Sequence, residues 1–248
     1  MNKTAIIIPS RLDAKRLPNK PLKLINNKEM ILHVHDAAVR SNIGEVYVAT
    51  PDQIIIDIVK KFGGNAIKTS YNHQTGTDRI FEIFQETLDS KPNVIINLQG
   101  DMPNIEPKVI SNLASYMEKQ KCDIGTLASD LKSDLEFNNP NVVKVSLKEK
   151  LSDNMFIDAS DFFRKAEKST DNLYHHIGIY AFTNKALIRY VSLKRSKLEL
   201  KRKLEQLRAL ENNMTIHVGY TKISPLSVDT EEDLNEVKIL MKKNEQKR

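Results

Sequence analysis

The chain has 248 residues, 40% hydrophobic and 28% charged, close to the average for globular proteins. A chain of this length buries a large core without disulfide staples, and its composition excludes collagen-like, mucin-like and wholly disordered classes. Lys and Arg number 38 against 32 Asp and Glu, a net charge of +6, and the isoelectric point near 9.2 permits nucleic-acid or acidic-lipid binding without requiring it.

Thr4-Ala5-Ile6-Ile7-Ile8 is short, apolar and β-branched and stops at Pro9, so it predicts a buried strand. A polar, basic loop follows to Pro21, and Met30 to Arg40 carries apolar residues at helical spacing. Val46 to Thr50 predicts a second strand. Pro51-Asp52 then opens a helix to Phe62, closed by Gly63-Gly64. Ala66 to Thr69 is a weaker strand, and Asp78 to Leu88 a helix. Val94 to Leu98, apolar on both faces but for Asn97, is the strongest strand of the chain and ends in Gln99-Gly100-Asp101. Pro107 to Lys119 is a helix.

This alternation implies a mostly parallel sheet covered by helices on both faces. In such sheets ligands bind beyond the carboxyl ends of the strands. The loops at Pro9 to Pro21, at Thr50 and at Gln99 to Pro103 therefore share one edge. The second half is less regular. A turn cluster at Asn138 to Asn141 leads into a strand from Val142 to Leu147, and Leu151 to Asp171 reads as an irregular excursion. Ile177 to Phe182 and Thr215 to Tyr220 predict strands, Leu198 to Leu210 an amphipathic helix, and Thr230 to Met241 a closing helix. The whole reads as one α/β domain over 1–248, with a smaller α+β lobe inserted around residues 131–215.

The strongest apolar stretches fall far short of the roughly 20 residues of a membrane span, so no membrane insertion is expected. Met1-Asn2-Lys3 runs straight into the first strand, without the apolar region of a signal peptide. Cys122 is the only cysteine, which leaves no internal disulfide and no cysteine zinc site. A reducing, cytoplasmic location is the expectation. Much of the positive excess lies in Lys194 to Lys203 and Lys242 to Arg248, which read as solvated helix faces or ends. Aromatics are few, at 6% with no Trp, so little is available for base stacking and no nucleic-acid partner is expected.

Three constellations carry possible chemistry. Arg11, Lys15, Arg16 and Lys20 lie in one loop whose freedom Pro18 and Pro21 restrict. Arginine's planar fork suits phosphate oxygens, and with no glycine-rich phosphate loop in the sequence a nucleotide would be held by side chains. Asp101 directly follows a largely apolar strand, a place where a helix cap is as ordinary as a ligand. In Ser227-Val228-Asp229-Thr230, either Asp229 or Thr230 serves as N-cap of the last helix. Two aspartates and a basic loop are what magnesium-assisted phosphoryl chemistry uses. His33 and His35 stand two apart on a helix and make a poor metal pair, and His175 and His176 precede a strand.

Taken in order, these segments resemble the 3-deoxy-manno-octulosonate cytidylyltransferases, also called CMP-Kdo synthetases. The likeness rests on Ile8-Pro9-Ser10-Arg11 with Arg16-Leu17-Pro18-Asn19-Lys20-Pro21-Leu22, on Val48-Ala49-Thr50, and on His73-Gln74-Thr75-Gly76-Thr77-Asp78-Arg79. It continues through Gln99-Gly100-Asp101, Asn139-Pro140-Asn141-Val142-Val143-Lys144 and His176-Ile177-Gly178-Ile179-Tyr180. It closes with Leu204-Glu205-Gln206-Leu207-Arg208 and Val228-Asp229-Thr230-Glu231-Glu232-Asp233-Leu234.

The resemblance implies a Rossmann-like, glycosyltransferase-A-like nucleotidyltransferase fold. It also implies a cytoplasmic, magnesium-dependent homodimer of lipopolysaccharide biosynthesis that joins CTP and 3-deoxy-D-manno-octulosonate into the CMP-sugar, releasing pyrophosphate. Carried over by position, Arg11, Arg16 and Lys20 correspond to triphosphate ligands. Pro9, Ser10, Gly76, Thr77 and Arg79 correspond to the nucleotide pocket, and Asp101 with Asp229 to the magnesium ligands. Gln99, His176, Tyr180, Glu205 and Gln206 correspond to the sugar side.

Departures are specific. Ile157-Asp158 follows Met155-Phe156 where the family usually has Ser-Arg, with Arg164 or Lys165 as replacements through a shifted alignment. Ser227 stands where the family commonly has glycine, Thr75 for serine and Met102 for glutamate. The first departure leaves a related acid, such as an amino-octulosonate or a nonulosonate, as the alternative substrate. A non-catalytic nucleotide-binding homologue is the alternative from another class.

Overall fold

A computed structural model describes residues 4–88, 91–119, 122–165 and 172–246. Residues 1–3, 247–248 and the 166–171 part of the segment expected to be irregular lie outside the described residues. The first strand β1 (Thr4–Pro9) leads through a short hairpin, β2 (Leu24–Ile25) and β3 (Lys28–Glu29), into α1 (Met30–Arg40). Then come β4 (Gly44–Thr50), α2 (Gln53–Lys61), β5 (Asn65–Lys68), α3 (Gly76–Glu86), β6 (Val94–Leu98), α4 (Pro107–Lys119) and β7 (Ile124–Ser129). After α5 (Asp134–Asn138) follow β8 (Lys144–Leu147), β9 (Phe156–Phe163), β10 (Leu173–Thr183), α6 (Asn184–Ser192), α7 (Lys197–Arg202) and α8 (Leu207–Glu211). The described chain ends with β11 (Ile216–Tyr220) and α9 (Glu231–Glu245).

The chain divides into two compact units. The first comprises Met1–Pro92, Asn97–Ser111 and Pro225–Arg248. In it β1 pairs in parallel with β4, Thr4 opposite Gly44 through Pro9 opposite Ala49, and β4 pairs in parallel with β5. Parallel neighbours need crossover helices, which α1 and α2 supply. Ile6, Ile7 and Ile8 are all fully buried, because a strand covered on both faces keeps a continuous apolar run. Gly44 has no alternative: a Cβ there would lie 1.9 Å from the Thr4 carbonyl oxygen.

The hairpin turn places Asn26 and Asn27 at φ 47° and 63°. Consecutive positive φ values are where asparagine is favoured, so the Asn-Asn pair was the sequence signal for this turn. A local core of Leu17, Ile25, Met30, Val228, Leu234 and Val237 ties the basic loop to the hairpin, α1 and α9.

The second unit comprises Asn93–Ile96 and Asn112–Ser224. Its strands run in the order β10-β7-β11-β9-β8, and β8 also pairs with β10, which closes a circuit of pairings. Only β7 and β11 are parallel among the pairs described there; β10–β7, β10–β8, β11–β9 and β8–β9 are antiparallel. The expected mostly parallel sheet is therefore corrected to a mixed α/β arrangement. The strand–helix alternation that forces parallel pairing stops after α4, and antiparallel neighbours need only short connections.

Three further expectations change. Ile124–Ser129 is a strand that the apolar pattern did not reveal, and the supposedly irregular segment contains β9. The single helix from Leu198 to Leu210 is two helices, broken where Lys203 turns to φ 56°. Among the described residues no helix is long and apolar enough to cross a membrane.

Candidate active site

The basic loop begins where β1 ends. Ser10 N–H donates to the Ala49 carbonyl at 2.9 Å, extending the β1–β4 pairing by one residue. The loop is pinned at both ends: Leu12 N–H donates to the Asp52 carboxylate at 2.8 Å, and Leu17 is buried in the local core. Asn19 at φ 57° then turns the chain so that Lys20 opens a short 3₁₀ segment, with Pro21 immediately inside it. Arg11, Lys15 and Arg16 stay exposed, while Lys20 is half-buried.

Lys20 Nζ lies 2.8 Å from Asp101 Oδ2 and 3.1 Å from Asp229 Oδ1, and Arg16 Nη2 lies 2.8 Å from Asp229 Oδ2. Three segments far apart in sequence thus meet through charge. Their backbones are joined as well, since Val228 N–H donates to the Asp101 carbonyl at 2.9 Å. Burial works against the Lys20 charge, but the two carboxylates together outweigh it and raise its pKa. The ammonium stays charged between them.

The question of the last helix's cap has a definite answer. Thr230 Oγ1 accepts from Asp233 N–H, and the Asp233 carboxylate accepts from the N–H groups of Thr230 and Asp229 at 2.8 and 2.9 Å. Thr230 is the N-cap of α9. The Asp229 carboxylate is left to Lys20 and Arg16.

Beside this cluster the ends of β1 and β6 and the start of α3 adjoin. A Cβ on Gly76 would sit 3.4 Å from Pro9 Cγ and 3.9 Å from Gln99 Nε2, and one on Gly100 would sit 3.3 Å from the Pro9 carbonyl. Gln99 Nε2 donates to Asn97 Oδ1 at 3.1 Å, and Thr77 is buried. Arg79, 3% exposed, donates to Thr69 Oγ1 and, at 3.0 Å, to the Ser70 carbonyl. Burial first and then the nearby Arg11 charge lower the Arg79 pKa, against the pull of Glu82 and Asp52. Ser10 Oγ is buried without a hydrogen-bond partner. Two neighbouring guanidiniums and an unsatisfied hydroxyl make this region receptive to an anion with acceptor oxygens.

Sequence reasoning missed the residues that hold this frame. Glu82 accepts from Ser70 N–H at 3.0 Å and pairs with His73 Nε2, which fixes the loop ahead of α3. Asp52 does the same for the basic loop. Its only signal was its place after the second strand.

Gln99 stands in the first unit; His176, Tyr180, Glu205 and Gln206 stand in the second, where the His176 and Tyr180 rings meet and the Glu205 charge acts on Tyr180. His176 is buried with Nε2 3.0 Å from Thr126 Oγ1, and its ring meets Phe162 edge-on at 5.0 Å and Tyr180 at 5.4 Å. Burial, aided by His175, pushes the His176 pKa down to about 3, so the ring is neutral. Burial and the nearby Glu205 carboxylate raise the Tyr180 phenol above its ordinary range. Gln206 is buried at the start of α8.

Asp158 sits on β9 opposite His217, whose Nε2 is 3.0 Å away, and Lys148 Nζ donates to its other oxygen. The Lys148 hydrogen bond holds the Asp158 carboxyl below its usual range, with His217 assisting. Arg164 Nη1 donates to the Pro140 carbonyl at 3.1 Å, and Lys165 is exposed. Ser227 is absent from the positive-φ positions of the described residues, so the exchange of glycine for serine carries no backbone strain.

A cytidylyltransferase family model matches residues 5–216. The 3-deoxy-manno-octulosonate cytidylyltransferase of Brucella anthropi is 41% identical over 241 residues, covering 96% of each chain. That of Bartonella bacilliformis is 39% identical over 242 residues, 96% of this chain and 98% of its own. A solved CMP:2-keto-3-deoxy-manno-octonic acid synthetase, complexed with CTP, superposes with a TM-score of 0.88 at 34% identity, covering 98% of this chain and 99% of that one. A 4-diphosphocytidyl-2C-methyl-D-erythritol synthase from Anaerococcus prevotii shares the fold at 16% identity, with a TM-score of 0.63 over 96% and 98% of the two chains. By sequence over nearly its whole length and by fold, this chain belongs to the 3-deoxy-manno-octulosonate cytidylyltransferase family.

Proposed function

We propose that the protein transfers the cytidylyl group of CTP to the anomeric hydroxyl of 3-deoxy-D-manno-octulosonate, giving the CMP-sugar and pyrophosphate. The observation that carries this reading is the convergence of Asp101 and Asp229 on a single ammonium, with Arg16 on the outer oxygen. A place where two carboxylates meet one cation, in a loop of further cations, suits a polyphosphate brought in with a divalent ion.

The donor set fits magnesium. Asp101 and Asp229 offer hard oxygen ligands, and Lys20 Nζ already stands in for a cation between them. Magnesium is commonly held by one or two carboxylates together with substrate oxygens and water, so two aspartates suffice on the protein side. When bound, magnesium supplies Lewis-acid polarisation of phosphoryl oxygens.

The chain's own residues supply the rest. Attack on the α-phosphorus drives charge onto the departing pyrophosphate, and cations placed on its oxygens lower that barrier. Arg11, Arg16 and Lys20 are the cations of the loop, and triphosphate oxygens compete with Asp101 and Asp229 for the last two. Ser10, Gly76, Thr77 and Arg79 shape the nucleotide side, Gly76 leaving space beside Pro9. On the sugar side, within the second unit, His176, Tyr180, Glu205 and Gln206 offer hydrogen bonds to a polyhydroxylated acid, whose polar groups must be matched when buried. A neutral His176 serves as a hydrogen-bonding group, since a ring that stays unprotonated down to about pH 3 is a weak base. Asp158 is already matched by Lys148 and His217, so it presents no bare charge against the substrate carboxylate.

The same reading makes the protein a cytoplasmic homodimer of lipopolysaccharide biosynthesis, one nucleotidyltransferase domain with a smaller sugar-binding and dimerisation lobe. Asp101→Ala and Asp229→Ala each test it. We expect turnover of CTP with the octulosonate to fall at least about a hundredfold, the scale of losing a positioned charge at a phosphoryl centre, with circular dichroism unchanged. Folded variants that keep near-normal rates would remove both residues from the site.

A further inference from the structure

Glu205 and Gln206 lie just past the break at Lys203, on a short irregular stretch, yet that stretch is fixed from beneath by side chains that no assignment has claimed. The Glu205 carbonyl accepts two hydrogen bonds: one from the Tyr190 hydroxyl at 2.7 Å and one from Arg208 N–H at 3.0 Å. The Arg208 guanidinium lies over the Tyr190 ring, 4.6 Å from its centroid. It also forms a two-pronged pair with Glu199, Nε to Oε2 at 2.9 Å and Nη2 to Oε1 at 2.7 Å. Arg195 Nε and Ser196 N–H complete the Glu199 carboxylate at 2.9 and 3.1 Å. Tyr190, Glu199 and Arg208 are 1%, 0% and 2% exposed.

A buried ion pair is expensive in desolvation and adds little stability over an apolar packing of the same volume. What this pair and the Tyr190 hydroxyl hold in place is one carbonyl at the base of two polar side chains. We propose that Tyr190, Arg208 and Glu199 are positioning residues: together they set the Glu205–Gln206 pair and thereby the affinity for the sugar acid. This rests on the reading of Glu205 and Gln206 as sugar-side residues.

Tyr190→Phe is the discriminating variant, because it removes the hydroxyl donated to Glu205 while keeping the ring under Arg208. The apparent KM for the octulosonate should rise roughly three- to tenfold, the span of one net hydrogen bond, with the KM for CTP within about twofold of wild type. A general structural role would shift both constants or lower the amount of active enzyme. Equal changes in the two constants, or none, would overturn the proposal. Hydrogen exchange of the Leu204 to Arg208 amides is measured in the same variant and needs no substrate. Faster exchange confined to that stretch is expected, and unchanged exchange refutes the positioning role. If instead the wild-type enzyme releases no pyrophosphate from CTP and the octulosonate, the functional reading fails, while the exchange result still decides the claim about Tyr190.

Discussion

Lys20 occupies the most consequential position at the scale of single residues. Its ammonium neutralises two carboxylates that would otherwise repel each other, and it does so where a divalent ion is proposed to bind. Replacing it with the similarly long but uncharged methionine leaves Asp101 and Asp229 facing each other with their charges less compensated. Lys20→Met should therefore bind manganese, a spectroscopic substitute for magnesium, more tightly than wild type in the absence of nucleotide, by about threefold or more, while losing CTP affinity. Paramagnetic resonance of free manganese checks this. Weaker manganese binding than wild type would mean that Lys20 organises the carboxylates and does not compete for them.

Both aspartates were legible in the sequence, one from its place after an apolar strand and the other from its place ahead of the last helix. Their convergence on Lys20 was not. It depends on Leu17 anchoring the loop and Asn19 adopting positive φ, neither of which charge patterning reveals. The choice between Asp229 and Thr230 as N-cap was equally undecidable, since both residue types serve and only the position of Asp233 settles it.

Among the elements, regular periodicity transferred cleanly and interrupted periodicity did not. The α1 helix spans the predicted Met30 to Arg40 because its buried residues recur at helical spacing. In β9, Ile157 and Ala159 point inward, but the next buried residue is Phe162. An irregularity in its pairing with β8 skips Ser160 and reverses the alternation, so the segment reads as patternless. In β7 every position is buried, yet Gly125 and Thr126 break the apolar run. A Cβ at Gly125 would come within 2.7 Å of Met117 Sδ, and Thr126 Oγ1 makes its closest approach to the Ile179 carbonyl at 2.7 Å, where β10 is irregular.

Lys203 illustrates a third cause. Lysine is no helix breaker, so a left-handed residue between α7 and α8 leaves no mark in composition. It also gives a stability expectation: Lys203→Gly removes the Cβ penalty at φ 56° at the cost of a more flexible unfolded chain. A net gain of about 0.5–1 kcal/mol is expected on thermal or urea unfolding. A loss would show that the lysine side chain contributes more than the backbone strain costs.

At the scale of the whole molecule, the two units were unequally readable. The first follows the strand–helix alternation that dictates parallel pairing, and the loops proposed to bind the nucleotide fall at the strand ends as that rule requires. The second departs from it, with one parallel pair among antiparallel ones in the described residues. The basic net charge says little about function by itself. What matters is where the cations stand: Arg16 and Lys20 are matched by Asp229 and Asp101, whereas Arg11 stands near the buried Arg79. Relatives that match this chain over 96% of its length act, by name, on 3-deoxy-manno-octulosonate, and the Asp158 carboxylate is paired locally with Lys148 and His217.

Pyrophosphate release by the purified protein with magnesium, CTP and 3-deoxy-D-manno-octulosonate tests the account most directly. ATP, GTP, UTP and a nonulosonate are run in parallel. Release with CTP and the octulosonate, and not with the other nucleotides, is the expected result. Release from CTP only with a different acid would contradict the substrate assignment, and no release with any pair from folded, CTP-binding protein would contradict the catalytic reading itself.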